Sequence, residues 1–547
     1  MMLLTQLACV AAALGAAVAL PADTTTATTA TAPLIHLDYA TYQGSRAAGA
    51  GVDQFLGMRF AKPPMGDLRF RAPQEPAHED QVQDATKFGA LCVGTGVGPS
   101  ETYGEDCLFV NVFKPTNATA ASKLPVWVFI QGGGYARNDN GNFNGSEVIQ
   151  KSGGKVVFAN FNYRVGVLGF LASETVREDG ALNAGLLDQR LLLQWVQKHI
   201  SQFGGDPDHV VIHGDSAGGG SVSYHLTAYG GNDKEDLFVG GIPESPFWPT
   251  QRTVAQMEFQ YTRLLHDTNC GSLDCLRKLD VRVLGNASMP SPFPGAHPED
   301  PAPLWYWLPV IDGGFVQDHM YSQFLTGRFK RVPMLVGDDT NEGTYFASNA
   351  STETEFLSFL RSNYPRLQKW QLDLVGTIYP KMDPFPKHAA YFPTAAAAYG
   401  DCTFVCAGNT MADAISLFVG RDKSWNYHYN VADPDQVADG NGVPHVAELG
   451  AIFGPESVQG QEAASLKTIN AAIVPVTMSY FTSFVRFLDP NPSRLAGSPM
   501  WQNWGTFAGG QGHRIRLQTN NTAMETVPFD LVEKCALWKF LAKSMDL

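Results

Sequence analysis

Gly214-Asp215-Ser216-Ala217-Gly218 is the stretch of this sequence with the plainest chemical meaning. It fits G-x-S-x-G, in which a serine sits on a strand-to-helix turn too tight for bulky neighbours. A serine held this way is an exposed nucleophile, and the helix start behind it turns backbone N–H groups and a positive dipole end toward an oxyanion. Gln131-Gly132-Gly133-Gly134-Tyr135 is a second chemical feature. Three consecutive glycines leaving a buried strand let a loop present backbone N–H groups, as an oxyanion-binding loop requires. Asp215 is not the acid that serves Ser216, because adjacent side chains diverge and the acid must orient a histidine instead. His213 and His225 are close to Ser216 in sequence but badly placed: one lies in the strand or its exit, the other about two turns into the helix.

These features need particular elements around them. Val210 to Ile212 reads as a short buried strand before the serine, and Ser221 to Tyr229 is compatible with the helix after it. Leu34 to Tyr42 and Val52 to Phe60 carry strand-like patterns of an N-terminal edge. Leu108 to Phe113, Val126 to Ile130 and Val156 to Tyr163 are further strands. Leu187 to Phe203 repeats its apolar residues at helical spacing. The order strand, glycine loop, strand, helix, strand, nucleophile, helix predicts an α/β protein with a doubly wound, mostly parallel sheet. Gly214 to Gly219 also looks a little like the G-D-S-G-G of β-barrel proteases, but Ala217 intervenes and the α/β alternation is wrong for a barrel. After Gly240 the pattern loosens. Met334 to Val336 and Trp425 to Tyr429 read as late strands. Glu355 to Ile378, Thr394 to Phe418, an unbroken Ala463 to Phe487 and Asp530 to Ala542 read as helical.

The chain has 547 residues, 44% of them hydrophobic and 17% charged, which is enough for a large core and too apolar for disorder. With 53 acidic against 39 basic residues the net charge is -14, which disfavours nucleic acid and anionic membrane surfaces as partners. Residues 1–22 read as an export signal with an apolar run from Leu7 to Leu20. Residues 23–33 are a Thr/Ala tether, and no other run is apolar enough to span a bilayer. Export permits disulfides and glycans. Cys92 with Cys107, and Cys270 with Cys275, are spaced to close short loops. Sequons start at Asn117, Asn144, Asn286, Asn349 and Asn520. No metal-ligand motif occurs.

Taken together, Arg59 to Pro73, Glu105 to Leu108, Gln131 to Tyr135, Asn162 to Gly169, Gly185 to Pro207, Gly214 to Gly219, Asn341 to Gly343 and His445 to Gly454 give the chain a specific likeness. It resembles the type-B carboxylesterases of the cholinesterase-like α/β-hydrolase family. That resemblance implies one α/β-hydrolase domain over residues 34–547, hydrolysis of a small-molecule ester and no cofactor. It implies a triad of Ser216, Glu342 and His445 in the chain order this fold uses. It implies an oxyanion hole from the backbone of Gly133, Gly134 and Ala217, although many relatives begin this loop with His where this chain has Gln131. It also implies a Cys406–Cys535 bridge, which leaves Cys402 as the odd thiol. Tyr135, Trp248, Tyr345 and Phe346 are candidate pocket walls.

The expected product of these readings is a secreted serine esterase for short- to medium-chain or aromatic esters. An interfacial lipase and a catalytically dead binding protein are the alternatives on the same fold. In yeast lipases of the family, the loop corresponding to Cys92–Cys107 is a long amphipathic flap. Here its 14 enclosed residues are rich in glycine and poor in large apolar side chains, which is unsuited to a lipid-facing lid. Cholinesterases place a Trp in that loop for a quaternary ammonium, whereas Tyr103 is its only aromatic here.

Overall fold

Along Leu124–Ile130 the side chains alternate between two interiors: Val126, Val128 and Ile130 enter one buried cluster, Trp127 and Phe129 another. A strand buried on both faces belongs in a parallel sheet covered by helices on each side. The computed structural model describes residues 32–547 except 48, 139–140, 459–461 and 506–510. The expected export signal and all but the end of the expected Thr/Ala tether lie outside the described residues.

The main sheet has eleven strands. In chain order they are β1 (Ser45–Ala47), β2 (Val52–Arg59), β3 (Phe109–Pro115), β4 (Leu124–Ile130), β5 (Val157–Phe161) and β6 (Gly205–Asp215). The remainder are β7 (Gly240–Glu244), β8 (Met334–Asp339), β9 (Ser424–Tyr429), β10 (His513–Leu517) and β11 (Ala523–Thr526). Their spatial order is β11-β10-β9-β8-β7-β6-β4-β5-β3-β2-β1. The block from β10 to β5 is parallel, and antiparallel strands flank it on both sides. The strand order turns back between β4 and β6, and ligands of open α/β sheets bind at the strands' carboxyl ends near such a point.

Most elements expected from periodicity are present, but Leu34 to Tyr42 forms parts of two short strands, Leu34–His36 and Thr41–Gln43, in a separate three-stranded sheet, and Glu355 to Ile378 is two helices, Glu353–Asn363 and Lys369–Ile378. The strand expected at Val210 to Ile212 is the centre of the eleven-residue β6, whose early part is irregular between Gly205 and Val210. The following helix is α2 (Ala217–Thr227), after α1 (Ala184–His199), and it starts directly after the serine rather than at Ser221. β7 reads Gly-Gly-Ile-Pro-Glu, turn-like composition that only its two neighbouring strands make extended. β10 and β11 likewise escape a periodicity reading. The stretch from Ala463 to Phe487 is two helices, Glu462–Leu466 and Ile473–Phe487, separated by turns. Between Phe392 and Phe418 the helical run carries a π-helical segment at Asp401–Val405.

Buried ion pairs lock the connections. Asp188 on α1 accepts hydrogen bonds from the Arg164 backbone at 3.0 Å and from its guanidinium at 2.8 and 2.7 Å. Both residues are at most 2% exposed. Arg69 pairs with Glu105 through two bonds and donates to the Leu276 and Leu279 carbonyls. Disulfides join Cys92 to Cys107, Cys270 to Cys275 and Cys406 to Cys535, and Cys402 is a buried free thiol. Asp188→Ala strands the buried Arg164 charge. We expect it to lower unfolding free energy by about 3–5 kcal/mol, measured by urea titration. A loss within the error of that titration would show that the pair is dispensable.

Candidate functional site

Four adjacent strands deliver the candidate residues to one edge of the sheet. β6 ends at Asp215, β7 at Glu244, β8 at Asp339 and β9 at Tyr429, in parallel register. Ser216 follows β6 with φ 54° and ψ -119° and serves as the N-cap of α2. This left-handed φ is unusual for a non-glycine residue and is held from several sides. The Ser216 N–H donates to the Glu244 carbonyl at 2.9 Å, and the Ser216 carbonyl accepts from Gly220 at 2.8 Å and Phe247 at 3.0 Å. The turn also presses on β4: a Cβ on Gly218 would lie 1.9 Å from the Ile130 carbonyl oxygen. Only glycine fits there.

The glycine loop passes over the serine. A Cβ on Gly132 would come within 3.0 Å of the Ser216 Cβ. Gly133 and Gly134 have φ of 110° and 63°. The N–H groups of Gly133, Gly134 and Ala217 donate to no protein acceptor among the described residues. Gln131, at the position where many relatives have His, anchors the loop: its amide donates to the Asn162 side chain at 2.9 Å and the Phe161 carbonyl at 3.2 Å. The Tyr163 hydroxyl donates to the Gln131 carbonyl at 2.9 Å.

Glu342 stands just beyond β8 and is 2% exposed. Its Oε1 accepts from the Ser245 hydroxyl at 2.7 Å and from the Asp339 N–H at 2.8 Å, and its Oε2 pairs with His445 Nδ1. Asn341 fixes the distance between the two loops. Its backbone N–H donates to the Val443 carbonyl and its side-chain oxygen accepts from the Val443 N–H, both at 2.9 Å. His445 is 4% exposed. With Nδ1 engaged, Nε2 is left without a partner among the described residues. The following residue, Val446, has φ 59°, a strained value for a β-branched side chain. The rings of Phe404 and Phe346 lie 4.2 and 5.0 Å from the His445 ring. A serine on a strained turn, a histidine with one unpartnered ring nitrogen, a bonded carboxylate and unused backbone donors together suit acyl transfer.

The two nearby histidines are occupied elsewhere. The Trp127 indole donates to His213 Nδ1 at 3.1 Å, so the proton sits on Nε2 and is shared with Glu244 at 2.8 Å. His225 bonds Gln189 at 3.0 Å. Burial pushes both histidines down to about 3.

The model of the carboxylesterase family matches residues 31–538. The chain belongs to the carboxylesterase family. It is 31% identical over 477 residues to Secreted lipase 4 of Gibberella zeae, covering 82% of each chain. It is 34% identical over 383 residues to Lipase 1 of Geotrichum candidum, covering 60% of this chain and 67% of that one. The crystal structure of Aspergillus niger EstA matches with a TM-score of 0.91 at 54% identity, covering 94% of this chain and 99% of that one. The expected α/β-hydrolase architecture is therefore the fold, and the protein is a carboxylic ester hydrolase.

The pocket expectations of this carboxylesterase need correcting. Tyr135 is fully buried beneath the glycine loop against Phe170, Tyr224 and Phe247. Trp248 is a core residue too, stacked on Phe324 and bonded to Ser223. An aromatic beside a catalytic loop in sequence has as many ways to enter the core as to line a pocket. Tyr345 lines a cavity of about 500 Å³ that reaches His445, with Tyr103, Phe88 and Asn142, but that neither Ser216 nor the glycine loop lines. Phe346 contacts the His445 ring. Three contributors escaped the sequence reading: Ser245, Phe404 and Trp305. Trp305 covers Gly134, where a Cβ would lie 2.0 Å from its ring. We expect Gly134→Ala, which strains φ and strikes Trp305, to lower kcat by about 100-fold with a smaller change in KM. Steady-state kinetics on a soluble ester check this, and unchanged kcat would remove Gly134 from the oxyanion site.

Proposed function

We propose that this carboxylesterase is a secreted enzyme that cleaves short- to medium-chain or aromatic esters through an acyl-enzyme on Ser216. The observation that carries the reading is the convergence of Ser216, the Glu342–His445 pair and the unused N–H groups of the glycine loop. Ser216 Oγ attacks the ester carbonyl while His445 Nε2 takes its proton. Glu342 holds the imidazole through Nδ1 and offsets the charge the ring gains. The oxyanion is bound by the N–H groups of Gly133, Gly134 and Ala217, fixed before the substrate arrives. His445 then protonates the departing alkoxide, and a water activated by the same nitrogen releases the acid.

The substrate reading is supported by two features. Residues 93–106 of the Cys92–Cys107 loop contain no helix, and the loop's strand Leu91–Cys92 is pinned to Tyr103–Gly104. The cavity beside His445 is lined by aromatic, aliphatic and uncharged polar side chains, Leu91, Val446, Leu449 and Val458 among them, without an acidic residue among those described. A quaternary ammonium would find no opposite charge there. The lipase reading keeps its place because relatives in Gibberella zeae and Geotrichum candidum are named lipases. Secretion is supported by relatives named as secreted lipases and by five exposed sequon asparagines, which we propose as glycan sites.

We expect Ser216→Ala to fold normally, lose fluorophosphonate labelling and lose kcat by roughly 10⁴-fold or more. Retention of a sizeable share of turnover would overturn the nucleophile. On tributyrin we expect the rate to saturate smoothly through the solubility limit, and a sharp rise there would establish the lipase reading instead.

A further inference from the structure

More carboxyl groups stand behind Glu342 than ester hydrolysis uses. Asp339, Glu448 and Glu244 are each at most 2% exposed. Asp339 closes β8 and gives its N–H to Glu342. Glu448 lies three residues past His445, where its carbonyl accepts the Ala451 and Ile452 N–H groups and so starts the short helix Leu449–Phe453. Asp339 and Glu448 are neighbours: Tyr427, which bonds Glu448, pairs across the sheet with Gly337, two residues before Asp339 on the same strand, and each carboxyl acts on the other. The Tyr427 hydroxyl donates to Glu448 Oε1 at 2.7 Å. Both carboxyl oxygens of Asp339 and Oε2 of Glu448 remain buried with no donor among the described residues. Two carboxylates placed so would repel each other and forfeit their hydrogen bonds. One proton between them removes both penalties.

We propose that Asp339 and Glu448 share one proton and thereby clamp the strand end that carries Glu342 to the turn that carries His445. Neither residue touches the ester, so Asp339 is a positioning residue. The clamp rests on the triad reading given above.

The surroundings favour keeping that proton. Glu448, Glu342 and Glu244 face Asp339; Glu342 and Tyr427 face Glu448. Farther out, Asp215 faces Glu244, and His213 donates to Glu244 as a neutral ring. Arg514 attends Asp338, 4.0 Å away. Burial first, and the neighbouring carboxylates second, hold Asp339 well above the usual carboxylate range; burial raises Glu448 too. The folded protein thus retains a proton that the unfolded chain releases in mild acid. The clamp is complete at acid and neutral pH and is lost as pH rises through the pair's own titration.

The test measures kcat and KM from neutral to alkaline pH for the wild type, Asp339→Asn and Asp339→Leu on an uncharged ester. Asparagine donates to Glu448 without a titrating proton. Its kcat at neutral pH should stay within about threefold of wild type, and the reversible alkaline fall of the wild type should disappear. Leucine cannot bridge, and its kcat should drop about tenfold or more at every pH with little change in KM. Infrared spectra in D₂O should show a protonated-carboxyl stretch in the wild type that is missing from Asp339→Asn. An alkaline limb shared by wild type and Asp339→Asn, no alkaline limb in the wild type, or full activity in Asp339→Leu would each overturn the clamp. Fluorophosphonate labelling of Ser216 separates the cases: without labelling the triad reading fails, and with it only the clamp is at stake.

Discussion

Burying a carboxylate is tolerable only where donors surround it, and Glu342 meets that condition with donors from three separate places in the chain. Ser245 comes from the end of β7, Asp339 from the end of β8, and His445 from the loop after β9. Each donor also has a structural task. Ser245 follows the residue whose carbonyl holds the Ser216 N–H. Asp339 is the last residue of its strand. The carboxylate is thus the point at which neighbouring strand ends are aligned, and Ser216 is tied to it through the Glu244 carbonyl and the adjoining Ser245 hydroxyl.

Several of the fourteen non-glycine residues with positive φ among those described, Ser245 included, lie around this point. Ser216, Tyr135 and Val446 all have left-handed φ values without being glycine. Each is held by close packing: the Gly218 turn against β4, the Tyr135 ring under the glycine loop, the Val446 turn by the Asn341 bridge. Such conformations persist only where the surroundings over-determine them. That is the purpose of the dense interior at this sheet edge.

The sequence made the parallel centre of the sheet legible, because Val126 to Ile130 and Val210 to Ile212 are apolar runs with no other good placement. The glycine motifs were legible for the same reason that Gly218 is irreplaceable: local geometry admits one residue type. What stayed hidden depends on partners distant in sequence. β7 is a strand by virtue of β6 and β8, since its Gly-Gly-Ile-Pro-Glu composition argues against extension. Phe404 reaches the His445 ring from a π-helical segment, which leaves no periodic trace in one sequence. Trp248 was expected among the pocket walls, yet its indole N–H finds Ser223 within the core.

The Asn341–Val443 bonds join residues 102 positions apart. Between them the chain makes a long excursion through helices such as Glu353–Asn363, Lys369–Ile378 and Cys406–Phe418. Because the excursion is closed at its neck, changes in its outer parts need not reach the Glu342–His445 pair. The excursion is no detachable insertion, for it also supplies β9, which lies between β8 and β10 in the sheet, and the Cys406–Cys535 bridge ties its helix Cys406–Phe418 to the C-terminal helix Phe529–Leu541. Phe346 and Phe404 both extend from it back to the histidine. A substitution in the helices of this excursion can therefore reach His445 through those two rings, while the Asn341–Val443 bonds keep the spacing of the two loops that carry Glu342 and His445.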